Sequence, residues 1–363
     1  MIEQVGLRPY DLPLRRAWDS ARGGFARRRG WLVSVVADGL TGYGDCAPLP
    51  AAGTETADAT EIALTSYLTR LTGQDVARCL AELDSDPTLN STPAARYAVE
   101  SALSDLASQR AQQPLRQWLA PDAADRLAVN AMLGTLGQVR ADDLAAHAAH
   151  GFRVCKLKVG MQTPAADLAA LQILAQTVNA EAIRLRLDAN GAWTIDQARW
   201  ILEQLARFEL PIESLEEPII KPIPEHLAEL QARVAFPLAL DESLVTYLAT
   251  HDLTQLGVKR LVLKPAVLGG LRRTLTLAQR AQAAGIEVVM TSVVDSAAGL
   301  WPTVQLAAAL NGPLAHGVAT ADWLAADLGP APRACAGMIE LSSQVGSGFE
   351  LPASSSKQPA ITY

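Results

Sequence analysis

Three lysines and three acids recur along this chain at intervals that a repeating fold would gather in one place. Lys156 and Lys158 stand two positions apart in the apolar run "CKLKVG", so on a β-strand both ammonium groups point to the same face. Asp188, Glu216 and Asp241 follow at separations of 28 and 25 residues, and Lys264 closes the series. Three hard oxygen ligands meeting at one spot suit Mg2+, with Mn2+ as a substitute, because that ion keeps some water and takes substrate oxygens in its open positions. A lysine serves as a base only when neutral, so its usual pKa of ~10.4 must fall. Burial and like charge both push it down. Lys156 supplies such a charge to Lys158, and a bound metal adds more. The chemistry that fits is removal of a proton next to a carboxylate, with a metal stabilising the enediolate that results.

These groups have to be carried by a scaffold, and the pattern after about Arg126 supplies one. Short apolar strands alternate there with Ala/Leu-rich amphipathic helices: "LAVNAML" at 127, "VCKLKVG" at 154, "IRLRLD" at 183, "ESLEEP" at 213, "PLALDE" at 237, "RLVLKP" at 260, "EVVMTS" at 287 and "LAHGV" at 314. Eight strands at this rhythm predict an α/β fold, a (β/α)8-type barrel or modified TIM barrel, over an open doubly wound sheet. The sequence contains neither a dinucleotide-binding GxGxxG nor a Walker A stretch. The polar outliers fall at the C-terminal strand ends, where barrel active sites form. Strands two and six oppose each other in an eight-membered ring, which sets Lys158 across the metal from Lys264.

Before the barrel, "WLVSVVAD" and "GLTGYGDCAPLP" read as a hairpin, and Glu55 to about Arg110 as helices. We therefore expect an α+β capping domain over 1–125, a barrel domain over 126–329, and a segment 330–363 that returns to complete the cap. Its end, "PASSSKQPAITY", is expected to fray. The 363 residues are 49% hydrophobic, enough for a full core. A net charge of −7 argues against nucleic acid and for a small-molecule partner, and the basic patch Arg27, Arg28 and Arg29 is too short to alter that. Cysteines 46, 79, 155 and 335 show neither zinc spacing nor a disulfide framework. With no leader-like start and no membrane-length apolar run, a cytoplasmic protein off the membrane is expected.

The motifs "KLK", "LDANGAW", "LEEP", "LDES" and "LKPAVLGG" together resemble the muconate-lactonizing subgroup of the enolase superfamily, with the N-terminal part resembling its capping domain. A lysine base with Mg2+ stabilising an enediolate is the known chemistry of such sites. Within that subgroup, "CAPLP", "TSVVDSAAGL" and "HGVATADW" are most similar to the o-succinylbenzoate synthase family. That resemblance implies a lyase dehydrating 2-succinyl-6-hydroxy-2,4-cyclohexadiene-1-carboxylate, a small-molecule carboxylate, to o-succinylbenzoate on the way to menaquinone or phylloquinone. It implies Lys158 as base, Lys156 as its supporting cation, Lys264 held near the intermediate, and Asp188, Glu216 and Asp241 as metal ligands. Asn190 and Glu242 then resemble groups that orient ligands and lysines. Gly269, Gly270 and Ser292 are expected to donate to substrate carboxylates. The cap loop from Arg22 to Gly24 and the turn at 47–50 are expected to close over the succinyl chain. The sequence departs from many relatives at Asp295, where they carry Glu.

Other candidates carry less. His147 and His150 form no HExxH and fit a solvated helix face. His316 fits substrate contact or plain packing, and Trp193 fits packing at a helix start. The same lysines across a metal also suit an N-acylamino acid racemase, a dipeptide epimerase or a cycloisomerase. Dipeptide epimerases of this subgroup resemble one another in an Asp-x-Asp near strand eight, which "HGVATADW" lacks.

Overall fold

The computed structural model describes residues 1–20, 23–176, 178–179, 181–353 and 361–362. Its strands are β1 (Gln4–Ser20), β2 (Gly23–Ala37), β3 (Leu40–Cys46), β4 (Arg126–Ala128), β5 (Ala131–Thr135), β6 (Val154–Lys158), β7 (Arg184–Asp188), β8 (Ile212–Glu216), β9 (Leu238–Leu240), β10 (Arg260–Leu263), β11 (Glu287–Met290), β12 (Met338–Glu340) and β13 (Ile361–Thr362). Its α-helices are α1 (Ala57–Leu68), α2 (Val76–Glu82), α3 (Pro93–Arg110), α4 (Leu115–Leu119), α5 (Ala141–Ala149), α6 (Pro164–Ala175), α7 (Ile195–Leu205), α8 (Pro224–Ala232), α9 (Leu244–Leu248), α10 (Pro265–Leu268), α11 (Leu271–Ala283) and α12 (Ala297–Ala309).

The N-terminal part is an antiparallel sheet of order β13-β1-β2-β3 backed by α1, α2 and α3. Asp38 and Gly39, both at positive φ, make the two-residue turn between β2 and β3, the geometry that matches strand twist in a hairpin. On the face of β3 toward α3, Gly42 and Gly44 let the strand lie almost on the helix backbone. A Cβ at Gly44 would stand 1.9 Å from the carbonyl oxygen of Ala98.

The rest is a curled parallel sheet, order β11-β10-β9-β8-β7-β6-β5, wrapped by helices: a modified barrel behind an N-terminal cap. Two expected strands differ. The first divides at Asn130 into β4, which pairs antiparallel with β12, and β5, which joins the barrel. The eighth, at 314, reduces to single bridges that His316 and Gly317 make to Val129 and Thr291, and these close the ring. The segment is too short and too glycine-interrupted to extend a ladder. At the chain end, Ile361 and Thr362 pair with β1 rather than fraying, while 354–360 and 363 lie outside the described residues. Among the described residues no helix is long and apolar enough to cross a membrane.

Candidate active site

Register sets the chemistry in a row. Lys158 is the ladder partner of Asp188, and Asp188 that of Glu216, so three polar groups end neighbouring strands side by side. Asp241 follows β9 and Lys264 follows β10 by one residue each. Strand alternation sends Cys155 and Leu157 outward into the helical layer, while Lys156 and Lys158 turn into the barrel. All six groups line one cavity of about 200 Å3, together with Asn190, Glu242 and Ser292. The cap contributes Trp18, Gly24, Phe25, Leu49, Ala51 and Ala52 to its roof.

Lys156 lies 2.9 Å from Asp188 and also bonds Glu216. Burial would pull Lys156 down, but Asp188, Glu216 and Asp241 outweigh it and hold it above the usual lysine range. Lys264 grips both oxygens of Asp241 at 2.7 and 2.8 Å and is likewise held up against its burial. Lys158 is the exception. Burial, with Lys156 and Lys264 adding like charge, pulls it down to about 8 against Asp188 and Glu242. Its ammonium sits 4.3 Å from the centre of the Trp18 ring.

As the side chains stand, the acids are closed on lysines, and among the described residues no three His, Cys, Asp or Glu side chains are gathered tightly enough to cage an ion. The donor set nevertheless fits a hard cation. Asp188, Glu216 and Asp241 are all buried. Burial and mutual repulsion raise Glu216 and Asp241, an anionic excess that a dication would relieve.

Around this row the backbone is braced. Asn190 donates its backbone N–H to Asp188 (3.0 Å) and its side-chain amide to Glu242 (2.8 Å). Glu217, next to Glu216, is turned away by a positive φ of 42°. Its carboxylate takes the N–H groups of Asp241 (2.7 Å) and Ser243 (2.9 Å), pinning the end of β8 to the turn after β9. Ser292 bonds Thr320 at 2.8 Å on the cavity wall.

Gly269 and Gly270 lie elsewhere: both pack on α3 of the cap, where Gly269 O accepts from Arg96 and a Cβ at Gly270 would strike Glu100. They are not among the described residues lining the cavity. Gly24 lies in the roof, while Arg22 is outside the described residues. His147 is half-buried and His150 exposed, and both bond carbonyls of their own helix. His316 is buried below the cavity and accepts from Met290 N at 3.0 Å, with burial and Arg186 driving it down to about 3. Trp193 is fully buried packing.

The sequence reading missed Trp18, Asn130 and Arg186. Arg186 was accessible, since it alternates with Asp188 on one strand face; it is buried, bonds Glu213 and Asn130, and approaches Glu216 to 3.8 Å. Trp18 carried no such signal.

Comparison with known proteins bears on what these parts do. Residues 140–355 match the family described as enolase C-terminal domain-like, and residues 9–120 match the mandelate racemase/muconate lactonizing enzyme N-terminal domain. An o-succinylbenzoate synthase of Thermobifida fusca (strain YX) is 36% identical over 58% of this chain and 64% of its own length, just under two thirds of that relative. One of Proteus mirabilis (strain HI4320) is 30% identical over 81% of this chain and 83% of its own. A dipeptide epimerase from Enterococcus faecalis V583, complexed with Mg and the dipeptide L-Leu-L-Tyr, superposes with a TM-score of 0.83 at 25% identity, covering 96% of this chain and 99% of that one. Proteins similar to this one thus carry several kinds of name, synthase, racemase and epimerase among them.

Proposed function

This chain belongs to the enolase superfamily, and we propose that within it the protein is a Mg2+-dependent, cytoplasmic o-succinylbenzoate synthase that dehydrates 2-succinyl-6-hydroxy-2,4-cyclohexadiene-1-carboxylate in menaquinone or phylloquinone synthesis. The observation that carries this choice is the cavity lining. Apart from Asp188, Glu216, Asp241 and Glu242 at the barrel end, the described lining residues include no acid, and the cap roof is apolar. A dipeptide would need a carboxylate for its ammonium group. Asp322, the acid in "HGVATADW", is exposed and paired with Arg333. The site therefore favours a substrate with anionic groups and an apolar ring but no cation.

In this reading neutral Lys158 takes the proton next to the substrate carboxylate and, now an ammonium, returns it to the hydroxyl on the adjacent carbon, which leaves as water and turns the diene into an arene. Lys264, held cationic by Asp241 and Glu242, faces the developing negative charge from the other side of the cavity. Lys156 pulls Asp188 and Glu216 toward their ionised forms and adds like charge to the burial that lowers Lys158. Asp188, Glu216 and Asp241 would hold Mg2+, which when bound supplies Lewis-acid stabilisation of charge on the substrate carboxylate. Asn190 and Glu242 orient this set.

A second reading, racemisation of N-acylamino acids, is supported by Lys158 and Lys264 lining one cavity from β6 and the end of β10, four strands apart. An ultraviolet assay on the cyclohexadiene substrate, with Mg2+ and then with a chelator, separates the two. Metal-dependent loss of the diene is expected. If the diene persists while N-succinylamino acids exchange their α-proton in deuterated buffer, the racemase reading replaces the synthase.

A further inference from the structure

Arg27, Arg28 and Arg29 look like a basic patch in sequence, but the two-residue period of β2 divides them. Arg27 and Arg29 stay at the surface and share Asp11, at 2.6 and 3.1 Å. Arg28 turns inward and is 2% exposed. Its guanidinium donates to three backbone carbonyls: Ala47 at 2.6 Å, Pro48 at 3.1 Å and Val294 at 3.2 Å. It also lies over the Phe25 ring, 5.5 Å from the centroid.

Each of these contacts is part of the cavity wall or adjoins it. Phe25, Leu49 after Pro48, and Val293 and Val294 all line the cavity. Val294 is buried and sits at a φ of +61°. For a β-branched residue that is a left-handed outlier, held only where the surroundings enforce it. Ser292 Oγ accepts its N–H at 3.2 Å and Arg28 takes its carbonyl, so both backbone groups of the strained residue are fixed. Asp45, one residue after Gly44, adds a parallel tie by accepting from Tyr10 and from the backbone and hydroxyl of Ser296.

We infer that Arg28 is a positioning residue: it fastens the cap turn at Ala47–Pro48, the Phe25 ring and the strained Val294 loop into one wall, and so sets how tightly substrate fits without touching the reacting atoms. A planar fork serves this purpose because it reaches three acceptors at fixed angles, which a lysine ammonium on a flexible stem does not. The inference rests on the cavity above, and only its kinetic arm rests on the proposed reaction.

Hydrogen exchange on the full-length protein tests it, comparing the parent with Arg28→Lys and Arg28→Met. Amides within 47–54 and 291–297 are expected to exchange at least tenfold faster in Arg28→Met and by an intermediate factor in Arg28→Lys, with β6, β7 and β8 unchanged. On the cyclohexadiene substrate, KM should rise tenfold or more while kcat stays within threefold, the pattern of lost uniform binding. Unchanged exchange in both segments overturns the inference. So does loss of protection spread evenly through β1, β2 and β3, which marks a merely structural arginine. If Arg28→Met does not fold, Arg28→Lys decides, because it keeps the charge and loses the fork. If the parent leaves the substrate intact, the reaction reading falls while the exchange result still stands or fails by itself.

Discussion

At the scale of single residues, Lys158 differs from its neighbours in that burial and like charge outweigh the acids around it. Lys156 and Lys264 are held protonated by acids, whereas Lys158 is drawn down to about 8. A base works in its neutral form, so activity should rise with pH through that value and level off above it, falling about tenfold per unit on the acid side. A bound dication lowers the midpoint further. A rate profile flat from pH 6 to 9 would count against Lys158 as base. Lys158→Ala should lower kcat by about 10²–10⁴. Calorimetric Mg2+ affinity should change little, because no ligand is removed. Asp241→Asn should do the opposite first, weakening Mg2+ binding through loss of an anionic oxygen; an unchanged titration would exclude Asp241 as a ligand. These six residues were legible because charged side chains inside apolar strands are rare and the spacing repeats. Trp18 was not, since nothing in the chain near it marks an aromatic ring destined to meet an ammonium from the barrel.

At the scale of elements, the period of the barrel strands was readable because each is a short apolar run bounded by turn signals, and β6 to β11 lie where those runs fall. The long β1 was not, since Pro9 and Pro13 argue against a strand interior. They are tolerated because β13 pairs only with Gly6 and Leu7, and beyond the pairing with β2 the rest of β1 makes, among the described residues, one further bridge, from Leu14 to Leu324. The eighth strand was over-read for the reverse reason: an apolar run supplied the signal, but only two of its residues make bridges. The contact of β3 with α3 was also invisible, because glycines in a strand signal a close approach without saying to what. It yields a test. Gly44→Ala places a methyl group against the Ala98 backbone, which cannot move like a side-chain tip, so the cap should lose about 1–3 kcal/mol or more. Denaturant unfolding that leaves the midpoint unchanged would mean the strand and helix separate freely there.

At the scale of the whole molecule, the seam between cap and barrel concentrates buried charge. We propose that the cap comprises 1–125 and is completed by the chain after 330; within the described residues Ser347 N bonds Asp105 of α3 and Phe349 packs edge-on against Tyr43. Across the seam, Asp295 on the barrel faces Asp45 on the cap, and burial together with that second acid pushes Asp295 up to about 7, against Arg28. An acid whose native pKa lies above its unfolded value is protonated in the native state while the unfolded chain has released the proton. The unfolded state then binds fewer protons, so stability falls as pH rises from near 4 through about 7. A rise of that size sets a ceiling of roughly 4 kcal/mol on the effect. Asp295→Asn carries the neutral form at every pH, so the difference in stability between variant and parent should be small at pH 5 and grow in the variant's favour by pH 8. Chemical denaturation of both proteins at the two pH values measures it. A constant difference would mean that Asp295 is ionised throughout and that Arg28 and the bond from Val293 N outweigh its burial. A widening one would make the seam, and with it the fit of the cap over the cavity, sensitive to pH independently of the lysine that does the chemistry.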